Sequence, residues 1–271
     1  MARISVGLAL SGGTAKSVAH VGVIKALIDE NIPIDYIAGT SGGSIVAAMF
    51  ASGMPISTLE HTATSMSWLK LASIKLTKLG FISSERIEEF MKEMIGDVKF
   101  EDLRTPTTVV AANLVTGEKR EFRTGPVAVA VRASCSIPQI YLPVEIDGEY
   151  YVDGGMAEYL PVESLVSMGC DFCIASHLGP VKPVYRRPHH ILHLVMQIMG
   201  LMARKNYVRS MGQADFLIHP DLDGFSSFDF NSSDKTIEIA YNTTKALIGE
   251  LRTALKRRSR IWSRLFQKHH G

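Results

Sequence analysis

The chain has 271 residues, 46% of them hydrophobic, and a formal net charge of +2, which favours one globular domain with a single large core. Its three cysteines, Cys135, Cys170 and Cys173, are odd in number and too few for a disulfide framework, so a reducing, cytoplasmic setting is expected. The charge is uneven: residues 1–251 hold 22 basic against 27 acidic side chains, while residues 252–271 hold seven basic and none acidic.

The apolar run Ile4 to Leu10 breaks at Gly12 and Gly13. It is too short for a secretory signal and reads as a strand. The loop SGGTAK follows, then a helical pattern through Val18, Val21, Ile24, Leu27 and Ile28 that Asn31 and Pro33 end. A second strand, Ile34 to Ala38, runs into GTSGGS and an apolar helix to about Ser52, closed by Gly53 and Pro55. Tyr36 to Leu59 carries no charge and is long enough to span a bilayer, yet Gly39, Gly42, Gly43, Gly53 and Pro55 suit a strand, turn and buried helix, so no transmembrane helix is expected. Two strand-loop-helix units predict a parallel sheet covered by helices.

Residues 57–104 read as mostly helical, with IEEFMKEMIG the clearest amphipathic stretch, and TTVVAANL resumes the sheet ahead of a hairpin. VEI and EYYV flank Asp147-Gly148, a pair suited to a type I′ turn, so the second strand of that hairpin ends at Asp153. Phe172 to Ser176 reads as a strand, the Met-rich stretch His189 to Tyr207 as a helix, FLIHP as a late strand, and Thr236 to about Gln267 as a final helix. No repeat or linker is evident, which leaves a domain over 1–250 and a basic amphipathic tail over 251–271.

Gly39-Thr40-Ser41-Gly42-Gly43 fits G-x-S-x-G at a strand-to-helix turn, where flanking glycines expose the Ser41 hydroxyl and the following helix aims free N–H groups at the same point. Gly12, Gly13 and Thr14 precede a helix and can present consecutive N–H groups to an anion. The stretch lacks a glycine immediately before Lys16, as a P-loop needs, so an oxyanion hole is preferred to a nucleotide site. In Asp153-Gly154-Gly155 two glycines let the chain turn sharply and carry a carboxylate to another loop, where it can take a proton from Ser41.

SGGTAK, GTSGG and DGG, in that order, with AHVGVIKAL after the first loop and ASCSIP and LPV before the last motif, resemble the patatin-like phospholipase family over roughly residues 4–220. The resemblance implies a mixed α/β, three-layer α/β/α fold with a mostly parallel central sheet, and a serine acyl hydrolase acting on lipid esters without metal or other cofactor. By the same resemblance Ser41 is the nucleophile and Asp153 the base. Gly12, Gly13, Thr14 and Gly42 form the oxyanion hole, and Lys16, Gly39, Gly43, Gly154 and Gly155 support the motifs. Ser11, Thr14 and Ser17 stand where glycine is commoner, so a positive φ at any of them implies a strained loop. A lipid-binding or regulatory protein on the same fold is the alternative that this departure raises.

Ser41, Asp153 and His177 also stand in the chain order of an α/β-hydrolase triad, which makes His177 the rival base; the loop and turn motifs favour the Ser-Asp pair. His20 reads as a packed or helix-surface residue. Cys170 and Cys173 have C-x-x-C spacing but no second pair to complete a zinc site, so a structural role is expected.

In ILHLVMQIMGLMA, Leu192, Val195, Met199 and Met202 share a helical face with Met196 nearby, which reads as core packing or as an acyl groove or lid. At the end, Leu247, Leu251, Leu255, Trp262, Leu265 and Phe266 alternate with Arg257, Arg260, Arg264 and Lys268. Residues 252–271 are therefore either a peripheral contact with anionic membrane or a helix docked on the body. No nucleic-acid partner is expected.

Overall fold

The computed structural model describes residues 3–67, 82–180 and 191–268, without the side chains at 191–193, 195, 196, 199, 205 and 261–268. The strands are β1 (Val6–Leu10), β2 (Tyr36–Thr40), β3 (Thr107–Asn113), β4 (Lys119–Phe122), β5 (Val144–Ile146), β6 (Glu149–Asp153), β7 (Phe172–Ser176) and β8 (Phe216–Ile218). They form one sheet in the order β5-β6-β3-β2-β1-β7-β8, with β4 also paired to β3. The five strands β8-β7-β1-β2-β3 are parallel, and β4, β5 and β6 are antiparallel additions.

The helices are α1 (Ala19–Asp29), α2 (Gly42–Ala51), α3 (Ile56–Thr64), α4 (Glu85–Ile95), α5 (Val127–Ser134), α6 (Gly155–Glu158), α7 (Val162–Val166), α8 (Ile191–Gln213) and α9 (Ser233–Lys268), with a short 3-10 turn at Thr14–Val18. Strand period two sorts the core into two layers of packing. Leu8, Leu10, Ile37, Phe172 and Ile174 point to the face covered by α1, α2, α5 and α9. Ala9, Ala38, Cys173 and Ala175 point to the other, against Leu160, Val162, Leu165, Ala203 and Tyr207 around α7 and α8. Both faces are buried, as continuous apolar strands in a parallel sheet require. Burial of each large aliphatic such as Leu8 or Ile24 contributes about 1.5–3 kcal/mol.

This is the three-layer α/β/α fold expected from the sequence. Asp147 and Gly148 have φ of 55° and 81°, so the hairpin closes through the predicted type I′ turn. The predicted helical character of 57–104 is borne out by α3 and α4, and its middle, 68–81, lies outside the described residues. α9 runs without interruption across position 251.

The final helix docks on the body, packing against α1 through Ile237, Ala240, Ile248 and Leu251. Arg258 Nε donates to the Asp171 carbonyl at 2.9 Å, and its Nη1 lies 3.4 Å from Asp215. The side chains of Trp262, Leu265, Phe266, Arg264 and Lys268 lie outside the described residues. Among the described residues no helix is long and apolar enough to cross a membrane.

Candidate active site

Ser41 and Asp153 are 112 positions apart and meet because of β3. β2 runs along one edge of β3, and its last pair is Thr40 against Val110. β6 comes antiparallel along the same edge, and its last pair is Asp153 against Ala111. The two strands thus end head to head on consecutive residues of β3. The Ser41 hydroxyl donates to Asp153 Oδ2 at 2.6 Å, with the two residues only 7% and 3% exposed.

The turn that presents Ser41 is strained. Its φ of 52° and ψ of −132° lie outside the regions open to most side chains, a cost of about 1–3 kcal/mol that surrounding structure must offset. Part of that support is close backbone packing at Gly43, where a Cβ would fall 2.4 Å from the Ser11 carbonyl oxygen. Gly39 makes the matching approach from β2, with Gly43 O 2.6 Å from where its Cβ would sit.

Two serines at the end of α5 tie the two loops together. Ser134 Oγ accepts the Ser41 N–H at 2.8 Å and donates to the Val110 carbonyl at 2.6 Å. The Ser134 carbonyl accepts Gly154 N–H at 3.3 Å, and the Ser136 carbonyl accepts Asp153 N–H at 2.9 Å. Sequence reasoning noted ASCSIP only as part of a family resemblance; its polar spacing at a helix end carries no periodic signal that would mark it as a clamp.

The Asp153 carboxylate has few partners for a buried charge. Oδ2 accepts from Ser41, and Oδ1 accepts the Gly155 N–H at 2.8 Å. Burial pushes its pKa up from the usual 3.8 to about 6, against the opposing pull of those two hydrogen bonds.

Beside Ser41 the first loop supplies unpaired donors. Thr14 opens the 3-10 turn and Gly42 opens α2, and among the described residues neither their N–H groups nor that of Gly13 makes a hydrogen bond. Gly12 differs, since its N–H donates to the Tyr159 carbonyl at 3.0 Å. Of the three departures from glycine, only Thr14 has positive φ, at 52°. Lys16 turns away, its Nζ donating to the Leu222 carbonyl at 2.8 Å.

His20 braces this loop from inside the core. Its Nε2 donates to the Ser11 carbonyl at 2.9 Å, which leaves Nδ1 to accept from the Ser176 hydroxyl at 2.8 Å, and burial holds its pKa down at about 4. His177 is also buried, and its two ring nitrogens have no partner among the described residues. Its ring instead packs on Tyr207 at 4.7 Å, His219 at 5.5 Å and Tyr159 at 5.9 Å between centroids, and burial pushes its pKa down to about 3. It bonds neither Ser41 nor Asp153.

Tyr159, which sequence reasoning did not single out, forms a wall of the site: a Cβ on Gly12 would lie 2.8 Å from its ring and 3.5 Å from Ser41 Cβ. Cys170 and Cys173 are free thiols with sulfurs 2.9 Å apart, and no group of three metal-ligating side chains occurs among the described residues.

The model of the patatin-like phospholipase family matches residues 8–166. An uncharacterized NTE family protein of Mycobacterium tuberculosis is 35% identical over 185 residues, which covers 65% of this chain and 51% of that protein. Lysophospholipase nte1 of Neosartorya fischeri is 25% identical over 280 residues, 92% of this chain and 18% of that protein. The chain therefore spans about half the length of the mycobacterial relative and under a fifth of the fungal one. The crystal structure of VipD from Legionella pneumophila superposes with a TM-score of 0.60 at 16% identity, covering 92% of this chain and 67% of VipD, a likeness of fold alone.

Proposed function

Because this chain belongs to the patatin-like phospholipase family, we propose that it hydrolyses carboxylic esters of lipids, with Ser41 as nucleophile and Asp153 as base. The observation that carries this reading is the 2.6 Å hydrogen bond from the Ser41 hydroxyl to Asp153 Oδ2, made with no intervening histidine. Oγ attacks the ester carbonyl as Asp153 takes its proton, and the N–H groups of Gly13, Thr14 and Gly42 hold the oxyanion. Asp153 returns the proton to the departing alkoxide. It then activates the water that releases the acyl group from Ser41. A carboxylate with its pKa raised to about 6 is a better base than an exposed one and remains ionised at neutral pH.

The substrate class follows from kinship: a phospholipid or lysophospholipid is proposed, in line with the fungal relative named a lysophospholipase. A secondary peripheral contact of residues 252–271 with anionic membrane belongs to the same proposal, as does the division into a domain over 1–250 and a tail over 251–271. The positive φ of Thr14 favours a second reading, a lipid-binding protein with little turnover. Hydrolysis of p-nitrophenyl butyrate by the protein and by Ser41→Ala separates the two. The hydrolase reading expects activity that the substitution abolishes; equal rates support the second reading. Mass spectrometry of products from a mixed phospholipid extract then identifies the bond cleaved.

A further inference from the structure

We propose that the outward face of α8 docks the protein on an anionic lipid surface beside the Ser41 site, an inference that names the partner of the lipid hydrolase reading and rests on it. From Ile191 to Ala203 every residue of α8 except His193, Gln197 and Gly200 is apolar. A helix apolar all round belongs in a core or in lipid. Yet Leu194, Ile198, Leu201, Met202 and Val208 are exposed, Leu201 by 70% and Met202 by 56%. At 100° per residue these five fall on one side, within an arc of about 120°. Ala203, Tyr207 and Ser210 are buried on the opposite side. Of the face that the sequence assigned to core packing, Met202 is exposed; Leu192, Val195, Met196 and Met199 have side chains outside the described residues.

The position of this face is set by three contacts. Asn206 Nδ2 donates to the Ala157 carbonyl at 3.2 Å, just after the Asp153 turn, and Tyr207 Oη donates to the Pro180 carbonyl at 3.0 Å, beyond the end of β7. Asp215, two residues after the helix, donates its N–H to Cys173 O at 3.0 Å near the start of β7. The helix therefore runs down the sheet from the Ser41 end. The fifteen residues before Asn206 extend about 20 Å past that anchor, on the side where β2 delivers Ser41. The Tyr207 ring lies 5.7 Å from the ring of Tyr159, the wall of the site.

Charge selects the occupant. α8 holds Arg204, Lys205 and Arg209 and no acidic residue, with Arg209 exposed on the arc of the apolar stripe. An apolar stripe with a cation on its arc matches the interface of an anionic bilayer, where the stripe enters the acyl boundary and Arg209 meets headgroups. The seven-cation tail is placed differently. Arg258 is fixed to Asp171 and Asp215, which precede β7 and β8, at the end of the sheet away from Ser41.

The test is co-flotation with vesicles of phosphatidylglycerol and phosphatidylcholine, against phosphatidylcholine alone, using the full chain carrying Ser41→Ala so that binding is read without turnover. Leu201→Glu with Met202→Glu is compared with Lys256→Gln, Arg257→Gln and Arg260→Gln on the exposed tail. The proposal expects the α8 pair to weaken binding to anionic vesicles by about tenfold or more and the tail triple by about threefold at most. In a Ser41 background the α8 pair keeps its rate on p-nitrophenyl butyrate and its melting temperature. Binding unchanged in the α8 pair, or no vesicle binding by the parent, overturns the proposal. A parent that is dimeric by light scattering, and that the pair makes monomeric with vesicle binding intact, assigns the face to a second copy instead. Absence of ester hydrolysis together with α8-dependent binding rejects the hydrolase reading and leaves the docking surface standing.

Discussion

Asp153→Asn should stabilise the protein at neutral pH while abolishing hydrolysis. The carboxyl is buried and its pKa is raised from 3.8 to about 6. Above pH ~6 it is ionised in both folded and unfolded chains, and the folded state carries the full cost of the buried charge. A shift of about two units corresponds to roughly 3 kcal/mol. As the pH falls from about 6 toward 4, the folded chain takes up a proton that the unfolded chain does not yet bind, so stability rises; below the unfolded value both are protonated and the cost is gone. Asparagine keeps an acceptor for the Gly155 N–H and carries no charge at any pH. The variant should therefore exceed the parent by up to ~3 kcal/mol in urea unfolding at pH 8. That gain should shrink toward zero near pH 4, since other carboxylates titrate alike in both proteins. Reaction of Ser41 with a fluorophosphonate probe should be lost in the variant. A gain that is absent at pH 8, or equal at both pH values, refutes the claim that Asp153 is a destabilised buried carboxylate.

Ser134→Ala removes the oxygen that accepts from Ser41 N–H and donates to Val110 O, leaving two buried backbone groups unpaired at about 1–3 kcal/mol each. We expect kcat for a soluble ester to fall about tenfold or more with KM little changed; a parental kcat counts against the clamp. Thr14→Gly relieves a β-branched residue at φ 52°, which should outweigh the added chain entropy by about 1 kcal/mol. Calorimetry should show a melting temperature higher by about 2 °C, and a lower one contradicts the strain. His177→Phe keeps a ring against Tyr159, Tyr207 and His219 and sacrifices no hydrogen bond among the described residues, so kcat/KM should stay within about threefold. A loss as deep as that of Ser41→Ala would restore the triad.

The strand-loop-helix units, the Asp147-Gly148 turn and the place of Ser41 at a strand-to-helix turn were legible because each is local: periodicity, turn chemistry and glycine spacing act over a few residues. The sequence expected an exposed hydroxyl there, whereas Ser41 is only 7% exposed because it faces Asp153. The approach of Asp153 to Ser41 was suggested by the Asp153-Gly154-Gly155 turn and by the resemblance, but not determined by either. It depends on β2 and β6 sharing an edge of β3, a pairing that no short window encodes. Ser134 and Tyr159 were missed for the same reason, as their partners are distant in the chain, Ser41 lying 93 positions from Ser134 and Gly12 lying in the first loop. For α8 the difficulty was different. With apolar residues on every side, the pattern does not say which face meets the body, and Tyr207 and Asn206, not the methionines, settle it.

The head-to-head meeting on β3 makes the site unusually sensitive to register. A one-residue slip of β6 on β3 would move the aspartate to the next position along the edge and turn its side chain to the opposite face of the sheet, away from Ser41. What prevents the slip is the set of bonds that hold each strand end independently. Asp153 N–H is held by Ser136, Gly154 N–H by Ser134, and Ser41 N–H by the Ser134 hydroxyl, all from one end of α5. Gly154 enforces the same register sterically, because a Cβ there would fall 2.1 Å from the Val110 carbonyl oxygen, the group that Ser134 also binds. A strained serine turn and a desolvated carboxylate both cost stability, and both are held against a single short helix end instead of against each other. Their 2.6 Å contact is consequently a product of the scaffold, present before any substrate arrives, which is what the proposed proton transfer from Ser41 to Asp153 requires.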